Sequence, residues 1–390
     1  MNNITTTIDT FSLNKHGEIL CGDQVEIMKA NTNDKVIVLS DGLGSGVKAN
    51  ILSTLSSKMI ATMLSENMAI EECIETVAQT LPICKERGLA YSTFTVLHLI
   101  NDQTLEIINY DNPAVIVLRA GKAIPLKTMT MIIDDKKITK SCIQLEENDF
   151  VIALSDGCVH AGVGASLNYG WELANIIDYL ETMVVPSYSP KTLTKLLIDE
   201  CNTLYENRPG DDTTVVCLKV SKKEVVNILI GPPEIKENDQ RMLGLFFAKK
   251  GKHIVCGGTT SQIVSDYLNK PLDLSLNYDD ITIPPTATIE GVDLVTEGIL
   301  TINKVLNYAN DYLENNTLFS DLITHNDGAS KLARMLFEEA TNINFYVGKA
   351  VNPAHQNPNL PINFSIKMQL IESLVKNLKL MGKETTIHYF

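Results

Sequence analysis

Residues 36–42 (VIVLSDG) and 151–157 (VIALSDG) are nearly identical stretches in distant parts of the chain. In each stretch, four consecutive apolar residues predict a buried β-strand, and the Ser-Asp-Gly that follows predicts a turn. A third acidic turn, at 210–212 (GDD), leads directly into an apolar strand predicted over residues 213–220. Acidic side chains therefore recur where apolar strands begin or end.

The segments between these strands predict an antiparallel sheet. Residues 93–99 and 105–110 alternate in polarity on either side of a short polar turn, which is typical of a hairpin, and residues 114–118 add another strand. An amphipathic helix is predicted over residues 47–65, with Ser45 as its N-cap. Beyond residue 222, strands and helices alternate, which indicates an α/β domain. We therefore predict two domains, residues 1–222 and 223–390.

The composition limits the partners that this chain can have. Of its 390 residues 44% are hydrophobic, and 47 Asp and Glu against 33 Lys and Arg give a net charge of -14. This charge repels nucleic acids and anionic membrane surfaces, and no apolar run approaches the roughly 20 residues of a membrane-spanning helix. The cysteines form no CxxC pair, and no secretory leader precedes Thr7. We therefore expect a soluble, cytoplasmic protein with reduced thiols.

The acidic turns predict a metal site. Asp41, Asp156, Asp211 and Asp212 each adjoin a strand end, so that neighbouring antiparallel strands bring them to one edge of a sheet. Gathered carboxylates repel one another unless they are protonated or bind a divalent cation, and oxygen ligands favour Mg²⁺ or Mn²⁺. A further acidic turn ending at Asp23 completes the set. Two such ions about 4 Å apart activate a water for attack on phosphorus. The alternative is that each Asp-Gly pair is only a turn.

Taken in order, five segments resemble the metal-dependent serine/threonine protein phosphatases (PPM family), in particular the bacterial branch typified by the stage II sporulation protein E phosphatase domain. The segments are CGDQ (21–24), VLSDGLGSGVKA (38–49), STFTVLHLINDQTLEIINYDNPAVIVLR (92–119), IALSDG (152–157) and GDDTTVV (210–216). The resemblance covers roughly residues 1–220. It implies an α+β fold, a sandwich of two antiparallel β-sheets flanked by helices (α-β-β-α), followed here by the second, α/β domain.

The resemblance also implies two bound Mn²⁺ or Mg²⁺ ions. Their ligands would be Asp23, Asp41, Gly42, Asp156, Asp211 and Asp212. Asp41 would bridge the ions, with Asp23 and the Gly42 carbonyl on one of them. Asp156 and Asp211 would bind the other ion. Asp212 is either an alternative ligand or a neighbour of a ligand. Asp41 and Asp156 are accordingly the predicted catalytic residues.

The predicted phosphate-binding loop is Gly44, Ser45 and Gly46, whose backbone N–H groups lie at a helix start. Leu43 stands where many eukaryotic relatives carry a histidine that protonates the leaving group, so the proton donor has no assignment. Bacterial relatives of the sporulation type also have an apolar residue there. Lys48 is either a further phosphate contact or, more simply, a surface lysine.

Residues 223–390 resemble no family closely enough to transfer a function. Residues 256–260 (CGGTT) follow a predicted strand and precede a helix, which is typical either of an anion site at a helix N-terminus or of a plain β-to-α turn. The loop at 352–358 is predicted to line a pocket or to lie on the surface. A regulatory, dimerisation or substrate-docking role is the expectation for this domain.

The resemblance implies hydrolysis of phosphoserine or phosphothreonine on a regulatory protein by a metal-activated water. Two alternatives stay open at this point. One is a pseudophosphatase that senses a ligand or partner, and the other is a phosphatase of small phosphorylated metabolites. A homodimer is a possible assembly, while nucleic acid and membrane are not expected partners.

Overall fold

In a computed structural model, the chain divides into two compact units, Met1–Lys222 and Lys223–Phe390. The structure describes all residues except 1–3, 31–33, 81–91, 134–135, 275–284, 315, 319–321, 323 and 351–361. The loop predicted at 352–358 lies outside the described residues. Within the described ranges, none of the helices combines the length and the apolar character needed to cross a bilayer.

The first unit contains two antiparallel sheets. Its strands are β1 (Ile4–Leu13), β2 (Asp23–Lys29), β3 (Lys35–Gly42), β4 (Ser92–Ile100), β5 (Thr104–Tyr110), β6 (Ile116–Arg119), β7 (Lys122–Ala123), β8 (Thr128–Ile133), β9 (Lys136–Gln144), β10 (Phe150–Leu154) and β11 (Thr213–Lys222). One sheet has the order β1-β11-β10-β6-β7, and the other has the order β2-β3-β4-β5-β9-β8. The strands that precede Asp41 and Asp156 therefore belong to different sheets.

The helices of the first unit cover the outer faces of these sheets. They are α1 (Gly46–Ser65), α2 (Ile70–Thr80), α3 (Asp156–Val159), α4 (Leu173–Met183) and α5 (Pro190–Leu204). Along β3, Val36 and Val38 pack with residues of α1 and α2, whereas Ile37 and Leu39 pack against the other sheet. This alternation follows from the two-residue repeat of a strand. Both faces of β3 are apolar because both are covered.

The resulting layers are helix, sheet, sheet and helix. The inner faces of the two sheets share one apolar core, while α4 and α5 pack on the outer face of the sheet that contains β10. The predicted α-β-β-α fold class is therefore confirmed, together with the further α/β region.

The second unit is built on a mostly parallel sheet. Its strands are β12 (Val225–Ile230), β13 (Lys252–Cys256), β14 (Asp273–Leu274), β15 (Ala287–Thr288), β16 (Leu294–Thr296), β17 (Asn342–Val347) and β18 (Glu384–Tyr389). Their order is β14-β15-β16-β13-β12-β17-β18, and the last five in this order run parallel. A parallel sheet of this kind needs helices as crossover connections.

Those crossovers place helices on both faces of the second sheet. The helices are α6 (Asp239–Phe247), α7 (Gly258–Leu268), α8 (Ile299–Glu314), α9 (Gly328–Arg334) and α10 (Ile362–Leu380), with a 3₁₀ turn at Lys236–Asn238 and a π-helical turn at Met335–Glu339. On β12, Val226 and Ile228 pack with α8, α9 and α10, whereas Leu229 packs with α6 and α7. Apart from the buried Asn227, which hydrogen-bonds the Lys250 and Lys252 carbonyls, the strand is apolar because neither face meets solvent.

Candidate metal centre

Asp23 and Asp41 lie side by side on neighbouring strands. Strands β2 and β3 pair with Asp23 opposite Asp41, and the Gly42 amide donates to the Gly22 carbonyl (3.2 Å). Asp23 is only 3% exposed, and among the described residues neither of its carboxylate oxygens has a hydrogen-bond partner. A buried carboxylate without a partner destabilises the fold unless a proton or a cation neutralises it.

The other sheet contributes three more carboxylates at the ends of β10 and β11. Asp156 is the first residue of α3, directly after β10, while Asp211 and Asp212 immediately precede β11. The Ser155 hydroxyl accepts a hydrogen bond from the Thr214 amide (2.8 Å), and the Ser155 amide donates to the Thr214 carbonyl (3.0 Å). These bonds continue the pairing of the two strands up to the acidic turns, so that the three carboxylates share one sheet edge.

Asp212 is the more deeply buried of the two adjacent aspartates. It is 3% exposed, and its Oδ1 accepts from the Lys15 amide (2.9 Å), whereas no described group hydrogen-bonds its Oδ2. A Cβ at Gly22 would lie 2.7 Å from that Oδ2, so a glycine is needed where β2 approaches it. The Asp211 side chain is 43% exposed and lies 3.7 Å from Lys15 Nζ. Both aspartates therefore stay predicted ligands.

Asp23, Asp41, Asp156, Asp211 and Asp212 form what we call the carboxylate cluster. Burial, together with the charges of Asp23 and Asp156, raises the pKa of Asp41 to about 9. Burial also raises the pKa of Asp23 to about 7; the nearby Ser155 and Thr214 hydroxyls oppose this shift, and the charges of Asp212 and Asp156 add to it. For Asp211, burial and the Asp156 charge raise the pKa while Lys15 opposes them. Because these interactions cross from one sheet to the other, the cluster joins the strand ends of both.

The donor set of the cluster fits hard divalent cations. Asp23 and Asp212 are buried and have carboxylate oxygens without a partner among the described residues. Burial, aided by repulsion between carboxylates, raises the pKa values of Asp23 and Asp41, and a Mg²⁺ or Mn²⁺ ion would reverse this shift. Among the residues that the structure describes, no three Asp, Glu, His or Cys side chains already converge at the spacing of a ligand set.

Gly42 connects the cluster to α1. A side chain at this position would overlap the backbone carbonyl of Ala49, because β3 and α1 touch there. The predicted role of the Gly42 carbonyl as a metal ligand is consistent with a glycine that is required for close approach. Ala49 of α1 therefore lies in close contact with the strand that carries Asp41.

The predicted phosphate-binding loop, Gly44, Ser45 and Gly46, leads into α1. Ser45 has an extended backbone before the first helical turn, but its hydroxyl donates to Glu18 Oε1 (3.1 Å) and makes no capping bond. Ser45 is therefore the N-cap residue, as predicted, although its side chain does not cap the helix. The Glu18 carboxylate also lies against Gly46, where a Cβ would overlap it. A carboxylate of the protein itself thus occupies the helix start at which we predict phosphate binding.

Sequence reasoning missed Lys15 and Glu18, which border the carboxylate cluster and the predicted phosphate-binding loop. Both residues lie in the connection between β1 and β2. The Thr- and Ile-rich run at residues 4–10 is the signal that identifies β1, since β-branched residues favour strands. With β1 assigned next to β11, the chain after it must pass the acidic turn at Asp211.

Comparisons with known proteins agree on the identity of the first unit. Residues 32–221 match the family model described as stage II sporulation protein E. The stage II sporulation protein E of Bacillus subtilis (strain 168) is 21% identical over 232 residues, which are 58% of this chain and 27% of that protein. The phosphoserine phosphatase RsbX of the same organism is 35% identical over 86 residues, which are 22% of this chain and 41% of that protein.

Among solved structures, the PP2C phosphatase domain of SpoIIE from Bacillus subtilis with a fragment of its regulatory domain matches with a TM-score of 0.48 and 18% identity. The match covers 56% of this chain and 63% of that one. The chain thus spans less than half the length of the curated relatives that it matches. The first unit of the chain belongs to the stage II sporulation protein E branch of the PPM (PP2C-type) phosphatase family.

Proposed function

We propose that this protein is a Mn²⁺- or Mg²⁺-dependent serine/threonine protein phosphatase. The observation that carries the proposal is the carboxylate cluster, which draws buried and partly unpartnered aspartates from both sheets of a phosphatase-family domain. Two divalent ions held by this cluster would supply an activated water and would neutralise the phosphate charge. The predicted ligands are Asp23, Asp41, Gly42, Asp156, Asp211 and Asp212.

Side chains and backbone groups of the chain itself orient the reacting centre and bind the phosphate. Asp41 on β3 and Asp156 at the start of α3 orient the reacting centre from opposite sheets. The backbone N–H groups of Gly44, Ser45 and Gly46 lie at the start of α1 and would favour a phosphate there once Glu18, which accepts from the Ser45 hydroxyl, leaves. Leu43 carries no acidic proton, so it is not the residue that protonates the leaving alkoxide.

The proposed substrate is a phosphoserine or phosphothreonine on a regulatory protein. The support is the 35% identity to a phosphoserine phosphatase over 86 residues. A protein substrate also agrees with the negative net charge of -14, which disfavours polyanions such as nucleic acids. The second unit and a possible homodimer are proposed to assist regulation or substrate docking.

The test is hydrolysis of a phosphoserine peptide, p-nitrophenyl phosphate and a sugar phosphate by the full chain, with Mn²⁺, with Mg²⁺ and with EDTA. Asp41→Asn is compared with wild type, and Asp178→Asn, at an exposed position on α4, is the matched control. We expect metal-dependent peptide hydrolysis that falls about 1,000-fold in Asp41→Asn, because a bound ion contributes several kcal/mol. The control variant should keep wild-type rates.

Three other outcomes would contradict the proposal in different ways. Hydrolysis that persists in EDTA, or that Asp41→Asn leaves intact, would remove the metal mechanism. A clear preference for the sugar phosphate would indicate a metabolite phosphatase. Metal binding by calorimetry without turnover of any substrate would favour the sensing role.

A further inference from the structure

The parallel sheet of the second unit reverses its order at one point. Numbered along the chain, its five parallel strands β12, β13, β16, β17 and β18 lie in the order 3-2-1-4-5, so the reversal falls between β12 and β17. In open α/β sheets, ligands bind beyond the carboxyl ends of the strands at such a switch point. The edge between β12 and β17 is therefore a candidate binding site in the second unit.

Three adjacent strands end level with one another at this edge. Ile230 at the end of β12 pairs with Cys256 of β13 on one side and with Val347 of β17 on the other. The next residue in each strand is a glycine, namely Gly231, Gly257 and Gly348. Since neighbouring strands are about 4.8 Å apart, the three glycines span roughly 10 Å without a side chain between them.

Lys367 of α10 extends its ammonium group to this edge. Its Nζ donates to the carbonyls of Gly348 and Ala350, the latter at 3.5 Å. A Cβ at Gly231 would lie 2.8 Å from the same Nζ, so the ammonium lies directly over the switch point. Gly231 also has a φ of 78°, which L side chains rarely adopt, and this further explains a glycine at the site.

The charge of Lys367 lacks a counterion in its described surroundings. Among the described residues, no carboxylate oxygen lies within 4 Å of Nζ, and the ion pairs formed by other lysines do not involve it. Burial lowers the pKa of Lys367, with no carboxylate opposing this shift. An ammonium has three donors, and the two carbonyls use two of them. With respect to the described residues, one donor and the whole positive charge are thus available for a ligand.

We propose that the second unit binds a small oxyanion, a phosphate ester or a carboxylate, beyond the carboxyl ends of β12 and β17, with Lys367 as its cationic partner. The segment after β12 reads Gly231-Pro232-Pro233 and lacks the G-x-G-x-x-G of dinucleotide sites. Two prolines also remove two amide donors there. The recognition therefore depends on the lysine, and a dinucleotide pyrophosphate is not the expected ligand.

The test is calorimetric titration of the full chain with three probes: inorganic phosphate, ADP and citrate. EDTA is present throughout, so that binding to metals at the carboxylate cluster does not contribute. We expect saturable binding of at least one probe at up to millimolar concentration, and at least about tenfold weaker binding in Lys367→Met, because a hydrogen bond to a charged group contributes about 1.5–3 kcal/mol. The probe that binds distinguishes phosphate esters from carboxylates.

Two further variants keep the test independent of folding. Lys376→Met removes an exposed lysine from the same helix, and we expect it to bind like wild type. Gly231→Ala should weaken binding by displacing the ammonium while Lys367 remains present. Equal binding in Lys367→Met and wild type, or no binding of any probe to wild type, would overturn the proposal. Neither result bears on the phosphatase site of the first unit.

Discussion

The two units of this protein present opposite charges at the edges of their sheets. In the first unit, five aspartates gather at strand ends, and Asp23 has no hydrogen-bond partner among the described residues. In the second unit, the ammonium of Lys367 lies at an edge of glycines, with no carboxylate within 4 Å in the part of the chain that the structure describes. Lys15, 3.7 Å from Asp211, is a single positive charge beside five carboxylates. Among the described residues, the first edge is therefore short of positive charge and the second edge is short of negative charge.

The difference follows from how the strands run. In the antiparallel sandwich, strand ends of two layers meet, so that acidic turns from separate parts of the chain come together. In the parallel sheet, strands end level at one edge and leave room for a side chain from a crossover helix. The first arrangement suits a cation that needs several oxygen ligands, and the second suits an anion that needs one charge and a few donors.

The largest expected effect concerns the contact that fixes the first edge. Gly42→Ala should lower the free energy of unfolding by about 3 kcal/mol, because the added methyl would overlap the backbone carbonyl of Ala49. Gly258→Ala, at the first residue of α7, is the comparison in the second unit, because a Cβ there meets no atom within 4 Å. We expect it to change stability by less than about 0.5 kcal/mol.

Urea unfolding followed by far-ultraviolet circular dichroism measures both variants. A lower midpoint for Gly42→Ala than for wild type would confirm that β3 and α1 are in tight contact at this residue. Equal midpoints would mean that α1 moves away from β3 at little cost. The link between that helix and Asp41 would then be loose.

The next effect is a pH dependence of the metal-free first unit. The pKa of Asp41 is raised to about 9 and that of Asp23 to about 7, so the folded state keeps protons that the unfolded chain releases above about pH 4. Stability should therefore fall as the pH rises from about 5 to about 8, by up to about 1.4 kcal/mol per pH unit for each proton retained, so that the change over one pH unit is smaller than the effect of Gly42→Ala. Ionised carboxylates bind metal, so Mn²⁺ should restore the stability that is lost at the higher pH.

The single tryptophan isolates this effect. Trp171 is buried in the first unit, so its fluorescence during urea unfolding in EDTA reports that unit alone. Asp41→Asn removes one titrating group and should flatten the pH dependence, while Asp178→Asn should leave it unchanged. A wild-type midpoint that stays constant or rises with pH would contradict the mutual repulsion in the carboxylate cluster.

The carboxylate edge of the first unit was easier to predict from the sequence than the lysine edge of the second unit. The buried strands β3, β10 and β11 are continuous apolar runs, so their ends, and the aspartates beside them, were predictable. Strands β1, β2 and β8 were missed because they are sheet edges with polar and half-buried residues. The α-β-β-α fold was predicted from the order of the motifs rather than from every strand.

Charged residues that reach a site only through long-range packing are not marked by any local sequence motif. Lys15 and Glu18 are ordinary charged residues until β1 pairs with β11 and brings their loop to the cluster. Lys367 looks like one more lysine on a helix, and only the position of α10 beside the ends of β12 and β17 distinguishes it. Long-range packing brings these three charged side chains to their sites. Local sequence patterns carry no information about such packing.

The smallest expected effect tests whether the first edge also has an anion position. If Glu18 occupies the start of α1, phosphate must displace its carboxylate. Glu18→Gln should then lower the inhibition constant of inorganic phosphate about two- to fivefold, because a charge at a helix N-terminus contributes about 0.3–1 kcal/mol. Glu66→Gln, at the opposite end of the same helix, is the matched control and should have no such effect. Competitive inhibition of p-nitrophenyl phosphate hydrolysis measures both variants. An unchanged or weaker inhibition in Glu18→Gln would show that phosphate does not use this helix start, and the anion position would then belong to the second unit alone.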